Sequence, residues 1–242
     1  MPVIEKNILG ICISERAWNY RFVWPEREIY IKNRDDYLRK NKRVFVGKEA
    51  IYEELVLRLK FAFETCLDTN RSIFDGEVDL KESTGNNDKV PLQMLYDDEV
   101  LKESFDYFGK LEKLRFVQLN KIAIEKIATD LIGGDYTITE KEKYLEDWCQ
   151  DLEAGIVQEL AHVLFLEDVL KSGDRKKYFL EQMANYPNVE VRVSDEDRQT
   201  KYLSTDIEQH GRRMELDFLS RIYPTSWTEA WVKHDLSMVS GV

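Results

Sequence analysis

The side chains best placed by type and spacing to do chemistry lie in Asp75-Gly76-Glu77-Val78-Asp79-Leu80-Lys81. Asp-Gly sits between two strand-like runs, residues 72–74 and 77–81. It is a strong short-range signal for a β-hairpin, because the favoured two-residue turn needs positive φ at both central positions. On a strand, Asp79 and Lys81 are two apart and share a face. A carboxylate beside a lysine, with further acids nearby, has the composition of a divalent-cation site. Asp68, Asp75 and Asp79 would hold Mg²⁺ or Mn²⁺, the ion would polarise a phosphodiester, and Lys81 would help activate the nucleophile. Asp79 and Lys81 are catalytic candidates under that reading alone. The competing reading is a solvated strand face with an ordinary Asp–Lys pair.

Other constellations are weaker. His162 follows Glu159 by three on a helix, the spacing that carboxylate-bridged di-iron proteins use twice. The chain has three histidines, and neither His210 nor His234 has an acid three residues before it. His162 therefore reads as a core histidine bonded to a neighbour. Asp206, Glu208 and His210 alternate and so spread around a helix, and His210-Gly211-Arg212-Arg213 reads as a solvated face rather than an anion site. Trp227 and Trp231 share one helix side, as core or as a docking surface. Cys12, Cys66 and Cys149 form no CxxC pair and no metal-ligand spacing, which fits a reducing compartment. The sequence holds no glycine-rich phosphate loop, nucleophile elbow or dinucleotide fingerprint.

Two short stretches resemble known families. Asp79-Leu80-Lys81, preceded by a helix that carries Glu53 and Glu54, resembles the Asp/Glu-x-Lys core of the PD-(D/E)xK nucleases. The resemblance implies a metal-dependent phosphodiesterase with Glu53 or Glu54 as the helix-borne acid. It departs from the family pattern in lacking an upstream Pro-Asp pair, and Asp75 stands only four residues from Asp79. Tyr202 through Gly211, then Glu229-Ala230-Trp231, is similar in layout to the tail of the ferredoxin-dependent bilin reductases, which implies an oxidoreductase on a wide sheet. The first 190 residues carry none of that family's other features.

The elements that would position these groups are mostly helical. Residues 98–171 read as two long helices. Leu101, Phe105, Phe108, Leu111, Leu114, Leu119, Ile122 and Ile127 recur at helical spacing in the first, and Leu145, Trp148, Leu152, Ile156, Leu160, Val163 and Leu164 in the second. Gly133-Gly134 is expected to end the first helix in a left-handed cap. Thr139 with Glu142 is expected to open the second as a capping box. The run 161–166, apolar apart from His162, predicts burial on more than one face. A short connection makes the pair an antiparallel hairpin.

Ahead of the pair, residues 8–13, 20–24, 29–31 and 44–46 read as short strands, 34–43 as a loop or helical turn, and 48–66 as an amphipathic helix. Residues 83–89 read as a polar loop. Beyond the pair, residues 174–186 read as a short helix and 189–193 as a half-buried strand. A helix follows, carrying Tyr202, Leu203, Ile207, Gly211, Met214, Phe218 and Ile222, and Pro224 stops it. Ser226 with Glu229 is a second capping box, opening a last helix through Trp231, Leu236 and Val239.

The expected fold is α+β. A small N-terminal antiparallel β region, residues 1–95, precedes a predominantly helical part, residues 96–242, built on the long hairpin; the two form either separate parts or one continuous domain. The chain of 242 residues is 43% hydrophobic and 33% charged, with 46 acidic against 35 basic residues and a net charge of −11. That balance disfavours nucleic acid and anionic membrane, both negative surfaces. No signal peptide or membrane span is read in it, so a cytoplasmic location is expected. The first expectation for function is a non-catalytic binding, assembly or regulatory protein that meets a protein partner through helical surface. The alternatives are the phosphodiesterase and, further off, the bilin-reductase-like oxidoreductase. No cofactor is expected apart from Mg or Mn under the phosphodiesterase reading.

Overall fold

The computed structural model describes residues 7–8, 11–12, 21–43, 45–74, 77–83, 92–95, 116–171, 206–226, 230 and 232–233. These residues are mostly helical, with little sheet, as the α+β expectation requires. The helices are α1 (Arg27–Asn41), α2 (Lys48–Asn70), α3 (Lys121–Gly133), α4 (Ile138–Lys171) and α5 (Asp206–Ile222). The strands are β1 (Asn7–Ile8), β2 (Ile11–Cys12), β3 (Asp79–Ser83), β4 (Leu92–Leu95) and β5 (Phe116–Asn120).

Two helices are central. α4, with 34 residues, packs against α5 and α2 and touches β4 and β5, while α2 also packs against α1 and α3. The reason is in their side chains. On α2, Leu55, Leu59, Ala62 and Cys66 form one stripe at three-to-four spacing, widened by Val56 and Phe63, and all are buried. On α4 the stripe Leu152, Ile156, Leu160 and Val163 is joined by Val157, Ala161, Leu164 and Phe165. Residues 161–165 are therefore buried all round, which the apolar run anticipates. One buried cluster joins Phe22, Trp24 and Tyr30 to Leu152, Phe218 and Val232, so side chains from both sides of residue 95 share a core. Among the described residues no helix is long and apolar enough to cross a membrane.

The sheet corrects the antiparallel expectation. Its order is β3-β5-β4, with β5 parallel to β3 and antiparallel to β4. β1 and β2 make a separate antiparallel pair, Asn7↔Cys12 and Ile8↔Ile11, in place of one strand over 8–13. The Asp-Gly hairpin is not made as expected. Arg71–Ile73 is a 3₁₀ turn, Phe74 is a bend, and β3 takes β5 as its partner, with Asp79↔Phe116 and Lys81↔Gln118. Asp75 and Gly76 lie outside the described residues.

Two further expectations fail for identifiable reasons. Residues 29–31 are part of α1, not a strand. The β-branched pair Ile29/Ile31 suggests extended chain, but the inward face of α1 is Tyr30, Arg34 and Tyr37, spaced four and three apart, with an arginine where periodicity looks for an apolar residue. Residues 21–24, inside the run read as a strand, and 45–46 have no regular structure. The first long helix is also not continuous, since Phe116–Asn120 is β5. There Val117 and Leu119 are buried and Gln118 is half-buried, an alternation of period two inside a longer apolar run. α3 and α4 both pack more on α2 than on each other, so they do not form the expected self-contained hairpin. Residues 101–114, 174–186, 189–193 and 84–89, with Tyr202, Leu203, Trp227, Trp231 and the tail beyond residue 233, lie outside the described residues.

The helix ends carry a correction of register. Gly134 follows α3 at φ −69°, ψ 147°, an extended and not a left-handed cap. The capping box at the start of α4 is Thr137 with Glu140, two residues earlier than expected. The Thr137 N–H donates to Glu140 Oε2 at 2.8 Å, and the Glu140 N–H donates to Thr137 Oγ1 at 3.3 Å. Gly47, ahead of α2, has φ +63°, a conformation that favours glycine. Thr137→Ala is expected to lower stability by about 1 kcal/mol. Thr139→Ala, at an exposed helical position, is expected to stay within about 0.5 kcal/mol of the parent. Urea unfolding of both variants checks the assignment, and the reverse order would return the cap to Thr139.

Candidate functional site

Buried ionisable groups form one constellation between α1, α2, α4 and the end of α5. Arg58 on α2 is 2% exposed and Glu153 on α4 is 0% exposed. Arg58 Nε donates to Glu153 Oε1, and its Nη1 and Nη2 both reach Glu146, one turn and three residues back along α4. The other oxygen of Glu153 accepts from Tyr30 at 3.0 Å and from Tyr223 at 2.7 Å. The Tyr223 hydroxyl in turn accepts from Arg58 Nη2 at 3.1 Å and from Arg34 Nη1 at 2.9 Å. Two guanidinium groups thus face two carboxylates, and neutral tyrosines bridge them.

Local structure explains how each group arrives. Arg58 sits between Leu55 and Leu59 on the inner stripe of α2, and Glu153 follows Leu152 on the inner stripe of α4. α5 ends at Ile222, where the Arg27 guanidinium takes the exposed Ile222 carbonyl at 3.1 Å and Pro224 prevents continuation. Tyr223 is therefore the first residue past the helix and turns inward. Rings of Phe61, Phe218 and Trp24 stand edge-on or tilted around Tyr30 and Phe218 and close the site.

The electrostatics match the geometry. Burial disfavours the charged form of Arg58, but Glu153, Cys149, Tyr223 and the bond to Glu146 together outweigh it and hold the guanidinium protonated well beyond its ordinary range. Burial, then Glu153, raises Tyr30 well above the ordinary phenol value, and the same two causes raise Tyr223. Burial raises Glu146, but its bonds to Arg58 win and its carboxyl titrates below the usual range. Burial pushes the neighbouring Cys149 thiol up to about 12. Both oxygens of Glu153 accept hydrogen bonds, and neither phenol is near ionisation at neutral pH. The arrangement fixes four elements against one another.

A second constellation lies where α4 meets α5. It comprises Gln158, Glu159 and His162 on α4 with Glu208, His210, Arg212 and Glu215 on α5, and His162, Glu208, His210 and Glu215 are buried. Gln158 Nε2 donates to Glu208 Oε2 at 3.0 Å, and Arg212 Nη1 pairs with Glu215 at 2.9 Å. His162 is the core histidine that its apolar surroundings predict, with Glu159 Oε2 at 3.4 Å from Nδ1.

The sequence-predicted residues stand elsewhere. Asp79 and Lys81 are exposed on β3, and Asp68 is exposed near the C-terminal end of α2. Asp75 lies outside the described residues. Glu53 accepts from the Arg43 N–H at 3.0 Å, and Glu54 pairs with Lys42 at 2.6 Å, so both acids serve the α1–α2 connection. Lys60 on α2 pairs with Glu82 on β3 at 2.9 Å. Among the described residues no three His, Cys, Asp or Glu side chains are grouped to hold a metal ion.

Sequence reasoning missed Arg58, Glu153, Tyr30 and Tyr223. The available signal was one charge of each sign inside two otherwise apolar helix stripes, since an isolated buried charge is tolerated only when paired. No family model matches this sequence, and no curated protein or solved structure matches it.

Breaking the buried pair from one side strands the other charge. Arg58→Met is expected to cost about 3–5 kcal/mol, and Arg58→Met with Glu153→Leu is expected to recover part of that loss. Tyr37→Phe, which removes an exposed bond to Glu64, is expected to change stability by less than about 0.5 kcal/mol. Denaturant unfolding of the three variants checks this; an Arg58→Met midpoint equal to the parent's is the outcome that contradicts the pairing.

Proposed function

We propose that this chain is a non-catalytic binding, assembly or regulatory protein that engages a protein partner through helical surface. One observation carries the reading. At the corner between α3 and α4, four large apolar or aromatic side chains, Ile132, Tyr136, Ile138 and Tyr144, are exposed between residues 132 and 144, Ile138 by 78%. The Tyr136 and Tyr144 rings lie 4.9 Å apart, and Tyr136 covers Gly134 so closely that a Cβ there would meet its ring at 2.1 Å. Rigid aromatic side chains held at a surface supply contact area at little entropic cost, the feature that marks binding hot spots. The described interior supports the same reading from the other side, because the polar groups of the Glu153 constellation are committed to one another. Free, buried Cys66 and Cys149 fit a reducing, cytoplasmic setting.

Ile138→Asp is expected to abolish partner capture in affinity purification from the native source while the melting temperature stays unchanged. Val23→Asp, at an exposed residue remote in sequence, is expected to leave capture intact. Equal capture by all three proteins overturns the reading.

A second reading, the divalent-metal phosphodiesterase, keeps one observation in its favour. Asp79 and Lys81 are exposed at alternate positions of β3, while Val78 is buried and Leu80 half-buried. A cation at about a hundred times its dissociation constant adds about 2.7 kcal/mol to stability. Thermal unfolding in EDTA, Mg²⁺ and Mn²⁺ decides between the two. The binding-protein reading expects no shift. A rise that Asp79→Ala removes puts the phosphodiesterase first.

A further inference from the structure

Where α4 meets α5, His162 is buried with one ring nitrogen outside any hydrogen bond among the described residues. Gly211 sets the approach. A Cβ at that position would stand 2.6 Å from His162 Nε2 and 2.8 Å from Gln158 Cγ, so the α5 backbone rests directly on the imidazole edge. His162 is 5% exposed. Its Nδ1 lies 3.4 Å from Glu159 Oε2 on its own helix, and its Nε2 lies 3.6 Å from Glu208 Oε1 on α5. The second separation is too long for a hydrogen bond, and Nε2 has no hydrogen-bond partner among the described residues. One imidazole thus stands between two carboxylates, one from each helix, in a place water does not reach. As an imidazolium it is attracted to both. As a neutral ring it loses the attraction to both, at a packed seam where charge interactions are poorly screened.

We propose that His162 is a proton-operated latch between α4 and α5: protonated, it holds Glu159 and Glu208 together across the seam, and deprotonated, it releases α5 from α4 as pH rises.

The other charges facing this seam decide the direction. On α5, Arg212 opposes protonation of His162, but Glu215 engages it. Burial disfavours the imidazolium, yet Glu208 and then Glu159 outweigh burial and Arg212, so His162 holds its proton above the ordinary 6.5. A group raised in the fold contributes stability that is complete below its unfolded value and lost as pH climbs through its folded value. Glu215 acts in the same direction. Burial pushes it up to about 7, reinforced by Asp151 of α4 and by Glu208, so the seam loses stability between its ordinary 4.5 and that value. His210 acts oppositely. Burial, then His162, Arg213 and Arg21, hold it down at about 3, so it favours the fold more as pH rises from there to 6.5. Between 4.5 and 6.5 the Glu215 and His210 contributions offset each other. Above 6.5 His162 acts with the last of Glu215, and the seam weakens.

The test uses the full chain. The histidine rings are followed by heteronuclear NMR from about pH 5.5 to 8.5, with amide hydrogen exchange on α5 measured alongside and corrected for the intrinsic pH dependence. The expected result is a His162 midpoint above 6.5 and α5 exchange that accelerates about tenfold through the same midpoint. Glu208→Gln keeps the side-chain shape and removes one carboxylate; it is expected to lower the midpoint and flatten the α5 response. A His162 midpoint at or below 6.5 in the parent protein overturns the latch whether or not the variant folds. So does corrected α5 exchange that is flat with pH, or a Glu208→Gln midpoint equal to the parent's.

Discussion

The carboxylate of Glu153 is the constraint that three of the other described helices answer to. It has no exposure, so each of its lone pairs must be met from within. The donors come from three different places: Arg58 on α2, Tyr30 on α1, and Tyr223 just past α5. None of the three helices can rotate by a residue without withdrawing its donor, because neighbouring side chains on a helix point about 100° apart. The hydrogen bonds of one carboxylate therefore set the rotation of three helices about α4. An apolar core of the same volume would bury as much surface and avoid the cost of desolvating two charges, which is several kcal/mol per ion. It would not say which turn of α2 faces which turn of α4.

The two polar constellations on α4 show what saturation does. Around Glu153 the cations, anions and phenols match one for one, the phenols stay neutral, and the Arg58 guanidinium is more firmly protonated than in water. Around His162 the count is unequal: two carboxylates and one imidazole, with a glycine opposite in place of a donor. A buried imidazole between two carboxylates leaves its protonation state as the remaining variable, so the same burial that locks one seam makes the other responsive to pH.

What the sequence made legible follows from which physical signals are local. The buried face of α4, the end of α5 ahead of Pro224 and most of α2 are read from spacing alone, because a helix closes its hydrogen bonds within itself. β5 is not read that way. Phe116–Asn120 becomes a strand only because β3 and β4 lie on either side of it, and both partners are distant in the chain. α1 is hidden differently. Its inner face includes Arg34, whose guanidinium reaches Tyr223 from 189 residues away, and a pattern that scores apolar residues counts that position as solvent-facing. Arg58 and Glu153 pose the same problem from inside good apolar stripes. Each looks like a single interruption, and only the pair makes sense of both. The capping box was recognised in kind but placed two residues late, since Thr137 and Thr139 each have a glutamate three residues on.

α4 carries all of these features along one element. The exposed aromatic corner lies at its start, Glu146 and Glu153 follow, and His162 comes later still. At 1.5 Å per residue, Ile138 and His162 are separated by roughly 36 Å of helix. Communication over such a distance needs an element with two arrangements of comparable energy, one favoured by each ligand. The Glu153 constellation, which lies between them, offers only one: its donors and acceptors are all used, and withdrawing any of them leaves a buried charge or hydroxyl unpaired. The helix is therefore clamped at its middle. The exposed aromatic corner and the proton at His162 lie on opposite sides of that clamp, and the segment free to respond to the proton is α5 and the second half of α4, not the surface where the aromatic side chains stand.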